Sequence, residues 1–308
     1  LPQHYTKVNS DVGSFFGFFS ILSAGAQQLL DPQKLIVFCG AIRAAKQYGC
    51  EIVLVGDEQK IMEVLDRDKG WQKLPITVHH ASEVIAMDEH PVQAVRKKKD
   101  SSVVVATRLV KDGVCDGVIS AGSTGAAVAA AQFILGRIKG IDRPSIATPI
   151  PTPKGATLLL DSGANVDSKP KHLLQSALMG SLYSELVFGV KQPRVALLNI
   201  GEEETKGNEQ AQTTYPLLKS MTTINFVGNA EGRDIPKGSV DVVVCDGFVG
   251  NVVLKFGEGL AKTILKLIRD AIKENGLFAK LGALLLMPTL KKLGKRLDVA
   301  EYGGAPLL

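Results

Sequence analysis

Four short segments of this chain hold residue types that can do chemistry together. Ser120–Ala126 (SAGSTGA) places small residues just ahead of an apolar helical run. A turn of that kind offers unpartnered backbone N–H groups and the positive end of a helix to an anion. No lysine follows its last glycine, so it is not the GxxxxGK phosphate loop. Asp161–Asp167 (DSGANVD), Asn199–Lys206 (NIGEEETK) and Asp246–Asn251 (DGFVGN) each follow an apolar run as well. Their Asp, Asn, Thr, Gly and Lys can bind phosphate through amides and a cation while a carboxylate positions a proton. Lys206 is the best candidate for the cation, and a surface salt bridge is its competing reading. A tight packing turn is the competing reading of Ser120–Ala126.

No histidine or cysteine nucleophile stands out. His172 sits near a helix start and is either a proton-transfer group or a solvated helix-end residue. His79, His80 and His90 have no metal-ligand spacing. Without a nucleophile, direct attack of phosphate on an activated acyl group is favoured over a covalent acyl-enzyme.

The elements that must position these groups alternate along the chain. Strands are expected at 34–39, 51–56, 76–78, 115–120, 147–149, 156–160, 195–199, 225–227 and 240–245. Helices are expected at 41–48, 58–65, 103–111, after Ala126 to Gly136, at 171–188, from Asn208 toward Ser220, and from about Asp246 onward. Strand ends rich in Gly, Asp, Asn and Thr predict an α/β protein with its ligand groups in one cleft at the carboxyl edge of a mostly parallel sheet.

The length, 308 residues, suits one large domain or two small ones. The net charge of +5 is mild and gives no reason to expect nucleic acid. The charge is concentrated late, with ten Lys or Arg against three acids from Lys255 to Arg296. Cys39, Cys50, Cys115 and Cys245 are widely spaced in apolar surroundings and are expected to be buried free thiols. The opening residues do not read as a signal peptide, and Phe15–Leu22 is too short to span a bilayer. Gly276–Pro288 is very apolar and is followed by Lys291, Lys292, Lys295 and Arg296. Such a stretch can lie in a membrane interface, or pack in a dimer or a core hairpin.

Several long motifs occur in order: DEHPVQAVRKKKDSSVVVA (88–106), SAGSTGA (120–126), GRIKGIDRP (136–144), LLLDSGANVDSKPKHLLQ (158–175), LLNIGEEETKGNE (197–209), NFVGNAEGRD (225–234) and VVVCDGFVGNVVLK (242–255). Through them the chain resembles the bacterial phosphate acyltransferases of phospholipid synthesis, from about Gly40 to Leu308. The resemblance implies acyl phosphate formation from acyl carrier protein thioester and inorganic phosphate, without a cofactor or metal. A downstream glycerol-3-phosphate acyltransferase would use the product. It implies a homodimer bound peripherally to an anionic phospholipid surface on the inner face of the cell membrane. The implied fold is a three-layer αβα open sheet like that of isocitrate and isopropylmalate dehydrogenases, and like phosphotransacetylases, without nicotinamide. A protruding C-terminal helical hairpin at 256–298 would make the dimer and membrane contacts.

On that reading phosphate sits on the N–H groups of Ser123, Thr124 and Gly125, near Lys206. Asn165, Asn229 or Asn251 stabilises the oxyanion, while Asp161, Asp167 and Asp246 orient those donors or move a proton. Either Arg96–Lys99 or the late basic surface faces the acidic carrier protein. Residues 1–39 depart from the family, whose members open with a strand and an Asp/Gly-rich loop. Family members also continue past the equivalent of Leu308 with a strand, a His–Gly loop and a helix. Two alternatives stand beside this reading: a short-chain phosphotransacetylase acting on acyl-CoA, and an inactive carrier-binding or membrane-binding relative.

Overall fold

A computed structural model describes residues 19–22, 32–274, 276, 281–289 and 304–308. It divides into two compact units, 1–139 with Leu308, and 140–307.

The first unit is built on β1 (Phe19–Leu22), β2 (Ile52–Gly56), β3 (Ile76–His80) and β4 (Gly117–Ser120), with helices α1 (Pro32–Tyr48), α2 (Glu58–Leu65), α3 (Pro91–Lys97), α4 (Ser102–Lys111) and α5 (Thr124–Ile134). Its sheet runs β3-β2-β1-β4 and is parallel throughout. Alternation along β2 shows why both faces are covered. Ile52 and Leu54 pack with Phe38, Ile42, Ile61 and Leu65, whereas Val53 and Val55 pack with Val95, Val104 and Ala130.

The strand expected at 34–39 is instead the first half of α1. Its buried residues Phe38, Ala41, Ile42 and Ala45 recur at helical spacing. The central strand is Phe19–Leu22, between β2 and β4.

The second unit contains β5 (Ser145–Thr152), β6 (Gly155–Leu160), β7 (Arg194–Asn199), β8 (Asn225–Glu231), β9 (Val242–Val244) and β10 (Ala305–Leu307), with helices α6 (Pro170–Phe188), α7 (Glu209–Lys219) and α8 (Gly247–Glu274). The sheet order is β10-β5-β6-β9-β7-β8. From β6 to β8 the neighbours are parallel, while β10–β5 and β5–β6 are antiparallel. The single, mostly parallel sheet expected from the sequence is therefore corrected to two sheets, the second of them mixed. The physical reason is the short PTPKG turn, which folds β5 straight back on β6 with no helical crossover. Leu158, Leu160, Val242 and Val244 pack in one core layer, and Leu159, Ala196 and Val243 in the opposite one.

The helical hairpin expected at 256–298 falls partly outside the described residues. Within them, α8 is continuous to Glu274 and residues 281–289 are helical. Among the described residues no helix is long and apolar enough to cross a membrane. All four cysteines are free, but Cys39 is exposed, contrary to expectation. Burial holds the Cys245 thiol well above its ordinary pKa, so it stays protonated.

The starts of β7 and β9 are tied by a bidentate pair. Arg194 donates through Nε to Asp241 Oδ2 at 2.9 Å and through Nη2 to Oδ1 at 3.0 Å. The Arg194 backbone N–H adds a third bond to Oδ2 at 2.8 Å. Burial pushes the Asp241 carboxyl upward, but the hydrogen bonds and charge of Arg194 outweigh it and hold the group below the usual carboxylate range. A depressed folded-state pKa stabilises the fold above the unfolded value and loses that contribution as pH falls through the folded one. Asp241→Asn is expected to cost on the order of 1 kcal/mol at neutral pH, the half-exposed guanidinium limiting the loss. Denaturant midpoints measured downward from neutral pH should fall less steeply below about pH 4 in the variant than in the parent chain.

Candidate active site

The four adjacent parallel strands β6, β9, β7 and β8 end at the same edge of the second sheet. That edge carries Asp161–Asp167 after β6, Asp246–Asn251 after β9, Asn199–Lys206 after β7 and Asn229 within β8. The residues named from the sequence in this unit are thus brought to one edge. The packing that does so is specific, and it separates groups that hold the site from groups left to face a ligand.

Asp161 is 1% exposed. Its Oδ1 accepts from the backbone N–H groups of Ile146 (2.9 Å), Gly163 (3.1 Å) and Ala164 (2.9 Å). Its Oδ2 accepts from the Asn165 backbone N–H and from Asn165 Nδ2, both at 2.8 Å. Five donors converge on one carboxylate and leave it no direction from which to take a substrate proton. Asn165 Nδ2 also donates to the Pro144 carbonyl at 2.6 Å. Both amide hydrogens of Asn165 are thus used within the protein, where they hold the loop after β6.

The first turn of α8 sits directly on this loop. A Cβ at Gly250 would lie 1.9 Å from the Asp161 carbonyl oxygen, and one at Gly247 would lie 2.5 Å from that of Asn165. Glycines three residues apart put two bare spots on one face of the helix, and the loop occupies them. The Gly247 N–H donates to the Asn165 carbonyl at 2.7 Å. Asp246 caps the helix, its Oδ1 accepting from the Val249 N–H at 2.9 Å. The GFVG spacing was visible in the sequence, yet nothing there showed what it packs against.

Lys206 is exposed, and no carboxylate pairs with its ammonium among the described residues. Its loop is fixed from two sides. Asn199 Nδ2 donates to the Lys206 carbonyl at 3.0 Å, and Asn229 Nδ2 donates to the Glu203 carbonyl at 2.9 Å. Asn229 is therefore a loop tie, and its Oδ1 is buried without a partner. Glu204, the acid closest to Lys206 in sequence, is taken by Lys219 and the Tyr215 hydroxyl. Asn199, a positioning group, was missed as a site residue. Gln210 Nε2 donates to the Ser168 carbonyl and joins the start of α7 to the end of the Asp161–Asp167 loop. Asp167 and Asn251 are exposed.

Ser123, Thr124 and Gly125 belong to the first unit. Ser123 caps α5, its Oγ accepting from the Ala126 N–H at 3.3 Å. Thr124 and Gly125 follow as exposed first-turn residues whose N–H groups have no partner within the helix. His172 is a helix-end residue. Its Nδ1 accepts from the Lys169 N–H at 3.1 Å, and burial followed by the Arg143 charge holds its pKa below the ordinary imidazole value. Among the described residues no group of three or more His, Cys, Asp or Glu is placed to hold a metal ion.

Parallel strands that end at one edge in amides and carboxylates define an α/β protein with its polar groups gathered there, and solved structures show which fold carries it. A phosphotransacetylase from Streptococcus pyogenes matches with a TM-score of 0.55 at 17% identity, covering 80% of this chain and 82% of that one. EutD phosphotransacetylase from Staphylococcus aureus matches at 0.54 and 19%, with the same coverage. The fold is phosphotransacetylase-like, and this corrects the isocitrate/isopropylmalate dehydrogenase-like expectation.

The sequence matches go further. The family described as Fatty acid synthesis protein matches residues 30–308. The phosphate acyltransferase of Desulfitobacterium hafniense (strain DSM 10664 / DCB-2) is 57% identical over 270 residues, 87% of this chain and 80% of the relative. That of Pelotomaculum thermopropionicum is 58% identical over 269 residues, covering 87% and 78%. That of Aquifex aeolicus is 51% identical over 278 residues, covering 90% and 82%. The chain belongs to the phosphate acyltransferase family.

Two substitutions test the separation of roles. Asp161→Asn turns an amide NH2 toward N–H donors and should lower stability by about 3 kcal/mol in denaturant titration. A variant with unchanged stability and lost activity would instead make Asp161 a reacting group. Gly250→Ala should destabilise by about 1–3 kcal/mol or more through overpacking, read as a lowered thermal midpoint.

Proposed function

We propose that this chain transfers a long-chain fatty acyl group from acyl carrier protein to inorganic phosphate, giving acyl phosphate for phospholipid synthesis. Acyl transfer to phosphate follows from membership of the family. The carrier-protein donor and the long chain are the part proposed. The carrying observation is the carboxyl edge of the second sheet, where Lys206 has no carboxylate partner among the described residues and its loop is held by Asn199 and Asn229.

In this reading a phosphate oxygen attacks the thioester carbon, the acyl–oxygen bond forms and the acyl–sulfur bond breaks. The proton from phosphate passes to the departing thiolate. Lys206 neutralises the phosphate. Asn251 supplies the side-chain donor for the oxyanion, because both amide hydrogens of Asn165 are used and the Asn229 amide ties the Glu203 carbonyl. Asp167 is the exposed carboxylate available to relay the proton.

The same proposal includes a homodimer on the inner face of the cell membrane. Along α8, Phe248, Val252, Phe256, Leu260, Ile264 and Leu267 form an exposed apolar stripe at helical spacing, which supports a helix-to-helix contact with a second copy. In 281–289, Leu281, Leu284, Leu285 and Leu286 are more than half exposed, which supports contact with an anionic lipid surface through the neighbouring lysines. A downstream glycerol-3-phosphate acyltransferase would consume the product.

The deciding experiment follows acyl phosphate from palmitoyl-acyl carrier protein, with and without phosphate. Phosphate-dependent product is expected. Lys206→Ala should lower kcat/KM by roughly 100-fold, an oxyanion-stabilising cation being worth about that much. Activity equal to the parent would remove Lys206 from the site, and turnover of short-chain acyl-CoA alone would overturn the donor assignment.

A further inference from the structure

The first unit carries a charged face that the site described above does not use. Helices α3 and α5 pack against each other. Across their junction the Arg96 guanidinium lies 4.9 Å from the centroid of the Phe133 ring. Phe133 is 46% exposed, so its ring is a platform at the surface and not part of the core.

The run Arg96–Lys99 divides in two. Lys98 points inward, where its ammonium donates to Glu89 Oε1 at 2.6 Å and to the Val84 carbonyl at 2.7 Å. Arg96, Lys97 and Lys99 are exposed. From Thr124 to Lys139 there is no acidic residue, and the exposed Arg137 and Lys139 lie just beyond α5. Ile138 between them is 54% exposed. Of the acids nearest the run, Glu89 is engaged by Lys98 and Asp100 by Ser82, while Asp88 is exposed. The α3–α5 junction thus presents exposed cations beside an exposed aromatic ring.

Cations near helix C-termini are favourable by themselves. That effect explains the charges but not an exposed phenylalanine beneath one of them. Stacking on the ring holds the Arg96 fork in place while leaving its N–H donors to a carboxylate partner, so less freedom is lost on binding. A buried aromatic or arginine at the centre of a polar rim is the usual composition of a binding anchor.

We propose that this α3–α5 face docks the acidic carrier protein, with Arg96 on Phe133 as its anchor. The inference rests on the carrier-protein reading of the donor and adds where the carrier sits. It assigns docking to Arg96, Lys97 and Lys99 and excludes Lys98, which secures α3 to the Val84–Glu89 loop.

The test uses the full chain in steady-state assays with palmitoyl-acyl carrier protein at saturating phosphate. Arg96→Glu and the double variant Lys97→Glu/Lys99→Glu are compared with the parent and with Lys191→Glu, an exposed lysine of the second unit. The two face variants are expected to raise KM for the carrier substrate by roughly tenfold and to flatten the salt dependence of kcat/KM. Their kcat and KM for phosphate should stay within about twofold of the parent, with unchanged thermal midpoints. If Arg96→Glu does not fold, the double variant carries the test, since neither lysine packs in the core. A parent that turns over carrier substrate, with both face variants equal to it, overturns the docking surface and leaves the donor reading standing. A parent inactive with carrier substrate overturns the donor reading and this inference with it. Loss of binding to anionic vesicles, with carrier kinetics unchanged, would give the face to a membrane and likewise overturn the proposal.

Discussion

The second unit is organised around a negative charge of its own. The Asp161 carboxylate is out of water, and burying a charge is costly unless hydrogen bonds replace the lost solvent. Here the chain wraps around it, supplying N–H groups from 146 and from 163–165 together with the amide of Asn165. That wrapping fixes the loop after β6. Once fixed, the loop presents the carbonyls on which the glycines of α8 rest, and α8 in turn follows directly from β9. Strand, loop and helix are mutually determined through one carboxylate.

The same accounting separates holding groups from working groups. Asp161, Asn165, Asp246, Asn199 and Asn229 make side-chain hydrogen bonds that hold the loops themselves. Lys206, Asp167 and Asn251 do not. A similar partition recurs in the first unit, where one lysine of a four-residue basic run turns inward and its neighbours remain at the surface. Charge in a sequence becomes meaningful only after its internal partners have been subtracted.

Much of the architecture was legible. Val240–Cys245, Val195–Asn199 and Glu51–Gly56 are β-branched runs bounded by turn residues, and each is a strand in the structure. Asn208 was placed at a helix start, where its side chain acts as a cap. The failures have physical causes. KLIVFC at 34–39 is a continuous apolar run, which a buried helix and a buried strand share, and periodicity appears only when Ala41, Ile42 and Ala45 are included. The four-residue strand Phe19–Leu22 gains its identity from two neighbours that are distant in sequence. The division of the strands into two sheets, and the Arg194–Asp241 pair across 47 residues, are set by non-local pairing that no local pattern encodes. That the candidate loops share one edge was legible, because strand ends advertise themselves through composition. Individual roles were not, because an aspartate buried under five N–H groups and an aspartate facing substrate are written with the same letter.

One feature of α8 has a mechanical meaning. Its 28 residues make a rod about 42 Å long. The near end is clamped at Gly247 and Gly250, where there is no side chain to cushion the contact. Tilting such a rod by 10° about the clamp moves its far end by roughly 7 Å. A rotation too small to open the bare-glycine contact is thus a displacement of several ångströms at the distal turns.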